Sequence, residues 1–424
     1  MRQILHTVYR VVTRPSRPAA VAAAALPLLL VGAVPAQADD AKPPAEMSIV
    51  GGERLGQPGT QIAPRKGAPS LPKKKLSARA WVVADAESGE ILAAHNAHWR
   101  LAPASTLKML FADTLLPKFD KKTKYTVRQE DLAGMGAGSS AVGVKEDHPY
   151  EVDDFWNGVF LASGNDAVHA LVAMNGGMAK TVREMNERAH ELGAEDTHVV
   201  SPDGYDAKGQ TSSAYDLTLI ARAAMQNPDF RDYAATVRAK FPGEYGKKGK
   251  REHFVVETTN RLMRGDYGLD PYEGLAGIKN GYTTNAGYTF TGIAQRGDRK
   301  LLVTVMNPDK EKKGADRNEV YRETAALFDW GFEAAEKVDA VGELVPPRAE
   351  REKQDGEPGD GKEPLNGEQV ATDADRASGG VGVAIGVTGA SLVVLGLTGY
   401  VVHRRWPLQA DRSSSTGQAT SLRD

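Results

Sequence analysis

Two kinds of hydrophobic pattern alternate along this chain. Trp81-Val82-Val83-Ala84 and Ile91-Leu92-Ala93-Ala94 are short apolar runs on either side of the turn Glu87-Ser88-Gly89, which predicts a β-hairpin. Two later runs, 288–294 and 301–306, flank Arg296-Gly297-Asp298 and predict a second hairpin. Between the hairpins the period changes. After Leu101-Ala102-Pro103-Ala104, the residues Met109, Leu110, Ala112, Leu115 and Leu116 predict a largely buried helix. The stretch 152–263 reads as mostly helical; within it, 179–192 places Val182, Met185, Ala189 and Leu192 on one stripe. A last helix is expected over 318–337. Strands at both ends with helices between them predict an α+β core carrying an inserted helical subdomain.

Outside this region the pattern fails in two different ways. Residues 39–78 and 341–378 are rich in Pro, Gly, Lys and mixed charge, and both read as linkers, the second as disordered. Residues 79–340 remain as one catalytic-sized domain. The ends of the chain are apolar instead. Arg2, Arg10, Arg14 and Arg17 precede an uncharged run at 19–34 and the small-x-small site Ala36-Gln37-Ala38, which predicts a signal peptide over 1–38. Residues 381–402 form 22 uncharged positions followed by His403-Arg404-Arg405. Such a run spans about 33 Å as a helix. It predicts a transmembrane helix over 379–402, a cytoplasmic tail over 403–424 and a catalytic domain outside the cell membrane.

Composition narrows the function classes. The 424 residues carry a formal charge of -2 and no basic patch interleaved with aromatics, which argues against a nucleic-acid partner. There is no cysteine, so disulfides, thiolate nucleophiles and Cys-based zinc sites are excluded. Glu187 and His190 have ligand spacing but lie off the apolar stripe of their helix, and no His-Glu-x-x-His occurs, so no metal or other cofactor is implied.

Three short motifs carry the candidate chemistry. Ser105 and Lys108, three apart at a helix start, share a face. A serine hydroxyl needs a base, and a lysine serves if burial or a neighbouring cation lowers its pKa. The helix N-terminus adds free N–H groups that favour a developing oxyanion. Ser163-Gly164-Asn165 emerges from the apolar Phe160-Leu161-Ala162 and offers a hydroxyl for proton relay and an amide for Lys108 or substrate. Lys279-Asn280-Gly281 ends an apolar lead-in with a cation, then a glycine that lets a substrate backbone approach. Decoys at Ser70/Lys73, Lys247-Lys248-Gly249 and Lys312-Lys313-Gly314 lie in Pro-rich or charged runs.

Order, context and spacing of the three motifs agree with Ser-x-x-Lys, Ser-x-Asn and Lys-Thr-Gly of the penicillin-recognising enzymes. With Ala80-Trp81-Val82-Val83-Ala84-Asp85, Gly138-Ser139-Ser140, Leu192-Gly193-Ala194, Ser213-Ala214-Tyr215-Asp216-Leu217 and Asn260-Arg261-Leu262, residues 79–340 resemble low-molecular-mass penicillin-binding proteins, specifically actinobacterial serine D-alanyl-D-alanine carboxypeptidases. The resemblance implies a β-lactamase/transpeptidase-like αβα sandwich with an antiparallel sheet. It implies peptidoglycan stem peptides ending in D-Ala-D-Ala as substrates and β-lactams as inhibitors. Ser105 would be the nucleophile, Lys108 the base and Ser163 the proton relay. The backbone N–H groups of Ser105 and Tyr282 would form the oxyanion hole, and Asn165, Lys279, Asn280, Gly281 and Arg261 would contact substrate.

This chain departs from the family in two respects. Asn280 stands where Thr or Ser is usual, and only 346–378 is available for the β-rich domain that many relatives carry, which predicts its absence. Two alternatives stay open. A class A β-lactamase typically has Asp at the position of Gly164 and needs a glutamate with no evident place here. A catalytically weakened sensor of wall peptides or penicillin is motivated by Asn280 and the short tail. A Ser-His-Asp hydrolase is disfavoured, since no Gly-x-Ser-x-Gly elbow occurs.

Overall fold

The computed structural model describes residues 42–311 and 314–356. The first strand, β1 (Thr60–Pro64), precedes the predicted hairpin β2 (Ala80–Asp85) and β3 (Glu90–His95), whose turn has Gly89 at φ 85°, a conformation that favours glycine. Ser105 lies in a 3-10 turn at Ala104–Leu107 that runs into α1 (Lys108–Leu115). The short ribbon β4 (Lys124–Thr126) and β5 (Pro149–Glu151) leads into the helical region: α2 (Val152–Leu161), α3 (Asn165–Met174), α4 (Met178–Leu192), α5 (Ala214–Ala224) and α6 (Pro228–Ala235). A hairpin, β6 (Arg238–Tyr245) and β7 (Arg251–Glu257), and the single turn α7 (Arg261–Arg264) follow. Then come β8 (Leu275–Thr283), β9 (Gly287–Arg296), β10 (Arg299–Met306) and α8 (Glu319–Ala334). The described chain ends with β11 (Val338–Asp339), β12 (Gly342–Glu343) and α9 (Arg348–Gly356).

The main sheet is antiparallel and runs β11-β1-β3-β2-β10-β9-β8, with β12 paired to β3. Strands from 60–95 and from 275–343 therefore meet in one layer. Both faces of the sheet are covered, which explains why the strands read as continuous apolar runs rather than alternating ones. Ala80, Val82, Ala84 and Leu302 enter the larger core with α1, α2, α3 and α5. Trp81, Val83, Leu301, Val303 and Val305 enter a second core under Leu327, Phe328 and Trp330 of α8. The layers are thus helix, sheet, helix, as expected.

The structure corrects three expectations. Residues 39–78 are not only a linker: β1 pairs with β3 through Thr60↔His95 and Ile62↔Ala93, and Leu55 is fully buried. The supposed linker over 341–378 begins with β12 and α9, so the folded region extends past 79–340 at both ends. The mostly helical stretch 152–263 also contains the β6–β7 hairpin. The predicted signal peptide, transmembrane helix and tail lie outside the described residues; among the described residues no helix is long and apolar enough to cross a membrane.

Candidate active site

Backbone strain marks all three motifs. Among the described residues, the non-glycine residues at positive φ include Ala104 (50°), Ser163 (56°) and Ile278 (117°). The first precedes Ser105, the second is the motif serine, and the third precedes Lys279. Such conformations cost on the order of 1–3 kcal/mol each, and a β-branched residue such as isoleucine is especially disfavoured there. They persist because close packing over-determines them. A Cβ on Gly277 would stand 2.0 Å from the Ala234 carbonyl, and one on Gly204 would stand 2.0 Å from the Ala104 carbonyl. The nucleophile turn is therefore clamped by a glycine that nothing larger replaces.

Lys108 is the hub of the site. It is 1% exposed, and its Nζ donates to Ser105 Oγ at 2.8 Å, Asn165 Oδ1 at 2.7 Å and the Asp203 carbonyl at 2.6 Å. Three acceptors match the three N–H donors of an ammonium. Burial lowers its pKa to about 8, against the pull of Asp203 and Asp166, which favour the charged form. Asn165 opens α3 and is held from behind: its Nδ2 donates to Ser139 Oγ at 3.1 Å, which turns Oδ1 toward Lys108. The adjacent Asp166 accepts the backbone N–H groups of Val142, Gly143 and Val144, so the loop carrying Ser139 is pinned to the start of α3.

The opposite wall is β8. Lys279 is 1% exposed, and its Nζ donates to Ser163 Oγ at 3.0 Å and to the Asn280 carbonyl at 2.7 Å. Burial, and secondarily the charge of Lys108, push it well below the ordinary lysine range. Asn280 accepts from Thr259 Oγ1 at 3.2 Å. Gly281 passes directly over the nucleophile: a Cβ there would lie 2.7 Å from Ser105 N and 2.6 Å from Thr289 Oγ1. Thr289 in turn donates to the Pro103 carbonyl at 3.0 Å, tying β9 to the same turn. Tyr282, next along β8, is 54% exposed beside Tyr288.

Ser105, Lys108, Ser163, Asn165, Lys279, Asn280, Gly281 and Tyr282 thus belong to one continuous cluster of contacts and chain neighbours. Arg261 stands apart from the hydrogen bonds of this cluster. Its guanidinium pairs with Asp266 at 3.2 Å, donates to the Arg317 carbonyl and Asn318, and lies over the Tyr321 ring, and no hydrogen bond joins it to this cluster. Those contacts engage Nε and Nη1. Sequence reasoning missed Asp203, Gly204 and Thr289. Pro202-Asp203-Gly204 carries a turn signal, but the group that holds Lys108 is a backbone carbonyl, which no side-chain motif announces.

Comparison with known proteins agrees with this geometry. A profile of the peptidase S11 family, D-alanyl-D-alanine carboxypeptidase, matches residues 66–310. The chain is 38% identical over 267 residues to D-alanyl-D-alanine carboxypeptidase DacB2 of Mycobacterium tuberculosis, covering 62% of this chain and 86% of that protein. It is 28% identical over 259 residues to D-alanyl-D-alanine carboxypeptidase DacF of Bacillus subtilis, covering 60% of this chain but only 62% of that longer relative. Among solved structures, the D-alanyl-D-alanine carboxypeptidase from Mycobacterium tuberculosis H37Rv aligns with a TM-score of 0.59 at 34% identity, over 67% of this chain and 100% of that one. The Streptomyces K15 DD-transpeptidase shares the fold, with a TM-score of 0.55 at 24% identity over 62% of this chain and 98% of that one. Since the matched span covers more than half of the chain and encloses all three motifs, this protein belongs to the D-alanyl-D-alanine carboxypeptidase family of serine peptidases, peptidase S11.

Proposed function

We propose that the protein removes the terminal D-alanine from peptidoglycan stem peptides through an acyl-enzyme on Ser105. The observation that carries this reading is the buried Lys108 Nζ 2.8 Å from Ser105 Oγ. Neutral Lys108 takes the Ser105 proton as Oγ attacks the carbonyl carbon between the two D-alanines. The oxyanion that forms faces the N–H groups of Ser105 and Tyr282, under the Gly281 backbone. Collapse breaks the C–N bond, and Ser163, replenished from the neighbouring lysines, gives a proton to the departing amine. Water then hydrolyses the ester. β-Lactams acylate the same serine.

The two lysines divide the electrostatic work. A substrate carboxylate arriving beside Lys279 and Asn280 favours the charged form of Lys279. A charged Lys279 in turn disfavours the proton on Lys108, so substrate binding itself prepares the base. In the free enzyme the base is governed by the Lys108 value. Release of D-alanine from a synthetic peptide ending in D-Ala-D-Ala is expected to rise about tenfold per pH unit below about pH 8 in kcat/KM, then level off. A profile that is flat from pH 6 to pH 9 contradicts Lys108 as the base.

Gly281→Ala tests the oxyanion geometry. Its Cβ would push β8 off the Ser105 amide. Penicillin acylation is expected to fall at least about 100-fold, the usual loss for a displaced oxyanion donor. Wild-type labelling kinetics would show that the strand passes elsewhere during reaction.

The reading extends to location. A segment over 1–38, removed on export, and a span over 379–402 that anchors the chain would place the catalytic domain on the extracellular side of the cell membrane, a reading supported by the terminal charge and hydropathy patterns alone. Recovery of the full chain in the soluble fraction of cells would refute the anchor.

A further inference from the structure

Asp203 reaches the site twice. Its carbonyl accepts from Lys108 at 2.6 Å, and its carboxylate lies behind that contact, 2% exposed. Oδ1 accepts from Ser201 Oγ at 2.5 Å and from the Tyr205 amide at 2.9 Å. Oδ2 faces His169 Nε2 at 3.9 Å. His169 is itself buried and sits one helical turn after Asn165 on α3, so the same helix face touches Lys108 through Asn165 and Asp203 through His169. The next residue, Gly204, is packed against the Ala104 carbonyl and fixes the turn to the nucleophile.

In so dry a place a carboxylate acts strongly on a neighbouring ammonium. The other groups that bear on Lys108 are Asp166, whose oxygens are occupied by four backbone N–H groups, and Lys279 across the cleft. Asp203 is less covered by donors and also holds Lys108 mechanically.

We propose that Asp203 is a positioning residue for acyl transfer: its carbonyl fixes Lys108, and its carboxylate, bracketed by Ser201 and His169, sets the pH at which Lys108 becomes a base. This inference rests on Lys108 being the base for Ser105. It carries an unusual sign. The charge of Asp203 stabilises the protonated, inactive form of Lys108, so removing that charge makes the base available at lower pH. A weaker base is also a poorer proton acceptor, so the plateau rate falls.

The test is the acylation rate with a fluorescent penicillin, measured from about pH 5 to about pH 10 on the full chain. Asp203→Asn is expected to move the inflection down by about one unit, giving acylation about tenfold faster than wild type well below the inflection, with a lower plateau. An unmoved inflection, or a loss by the same factor at every pH, overturns the proposal, because that is what a purely structural role produces. Should Asp203→Asn fail to fold, Ser201→Ala decides: stripping one donor from the carboxylate strengthens its field and moves the inflection up, and no upward shift overturns the proposal. Lys108→Arg run in parallel separates the two readings. Retained wild-type acylation in that variant removes the base assignment itself, whereas its loss keeps that assignment and lets the shift in Asp203→Asn decide the role of Asp203.

Discussion

Ser105→Ala is expected to abolish both D-alanine release and covalent penicillin labelling, with a fall in kcat of at least about 10⁴-fold. The size follows from chemistry rather than folding. Ser105 is only half-buried, and the hydrogen bond it loses is one of three on Lys108, which keeps Asn165 Oδ1 and the Asp203 carbonyl. The melting temperature should therefore change little while the reaction disappears. Without Oγ no ester forms, and neither Ser163 nor water replaces it. Ser163 is 5% exposed and its oxygen is held by Lys279 on the β8 wall, away from the turn at Ala104–Leu107 that carries the nucleophile. Free D-alanine measured beside mass spectrometry of the penicillin adduct checks both halves. Release or labelling within tenfold of wild type would move the nucleophile to another residue.

The catalytic core was legible in the sequence because its chemistry resides in side chains with fixed spacing and apolar lead-ins. Lys108 follows Ser105 by one helical turn, and Lys279 lies midway along β8, whose partner β9 was visible as a plain apolar run. The hairpins β2–β3 and β9–β10 and the helix α8 were visible for the same reason. What stayed hidden has a common physical cause. β1 is a short strand with no alternation, half-covered along its length and ended by Pro64, so neither period nor composition marks it. The strands β11 and β12 are two residues each, too short for any pattern. The β6–β7 hairpin is rich in charge and exposed along most of both strands, which erases the period-2 signal. Within the site, the hidden parts are backbone contributions: the Asp203 carbonyl, and the close approaches of Gly204 and Gly281 to the nucleophile turn. Arg261 shows the converse limit, since a motif match cannot show that Asp266 and Asn318 engage Nε and Nη1 of the guanidinium.

Lys108→Met is expected to remove acylation and, at the same time, to flatten the alkaline rise in stability. The side chain is similar in length, so the core around Met109 and Leu110 keeps its volume, but no base remains and the rate should fall at least about 10³-fold. The stability effect follows from linkage. Burial lowers Lys108 from 10.5 to about 8, so the folded state binds this proton less tightly than the unfolded chain does. The resulting destabilisation is complete below about pH 8, fades as pH rises toward 10.5, and is gone above it. Wild type should therefore gain about 2–3 kcal/mol relative to Lys108→Met between pH 7 and pH 10. Comparing the two proteins cancels most other groups. Lys279 does not cancel fully, because part of its depression is caused by Lys108, and that part acts in the same direction. Urea unfolding of both proteins at several pH values measures the difference. A constant gap across that range would mean that Lys108 keeps an ordinary lysine pKa in the fold, and the site would then need another source for its base.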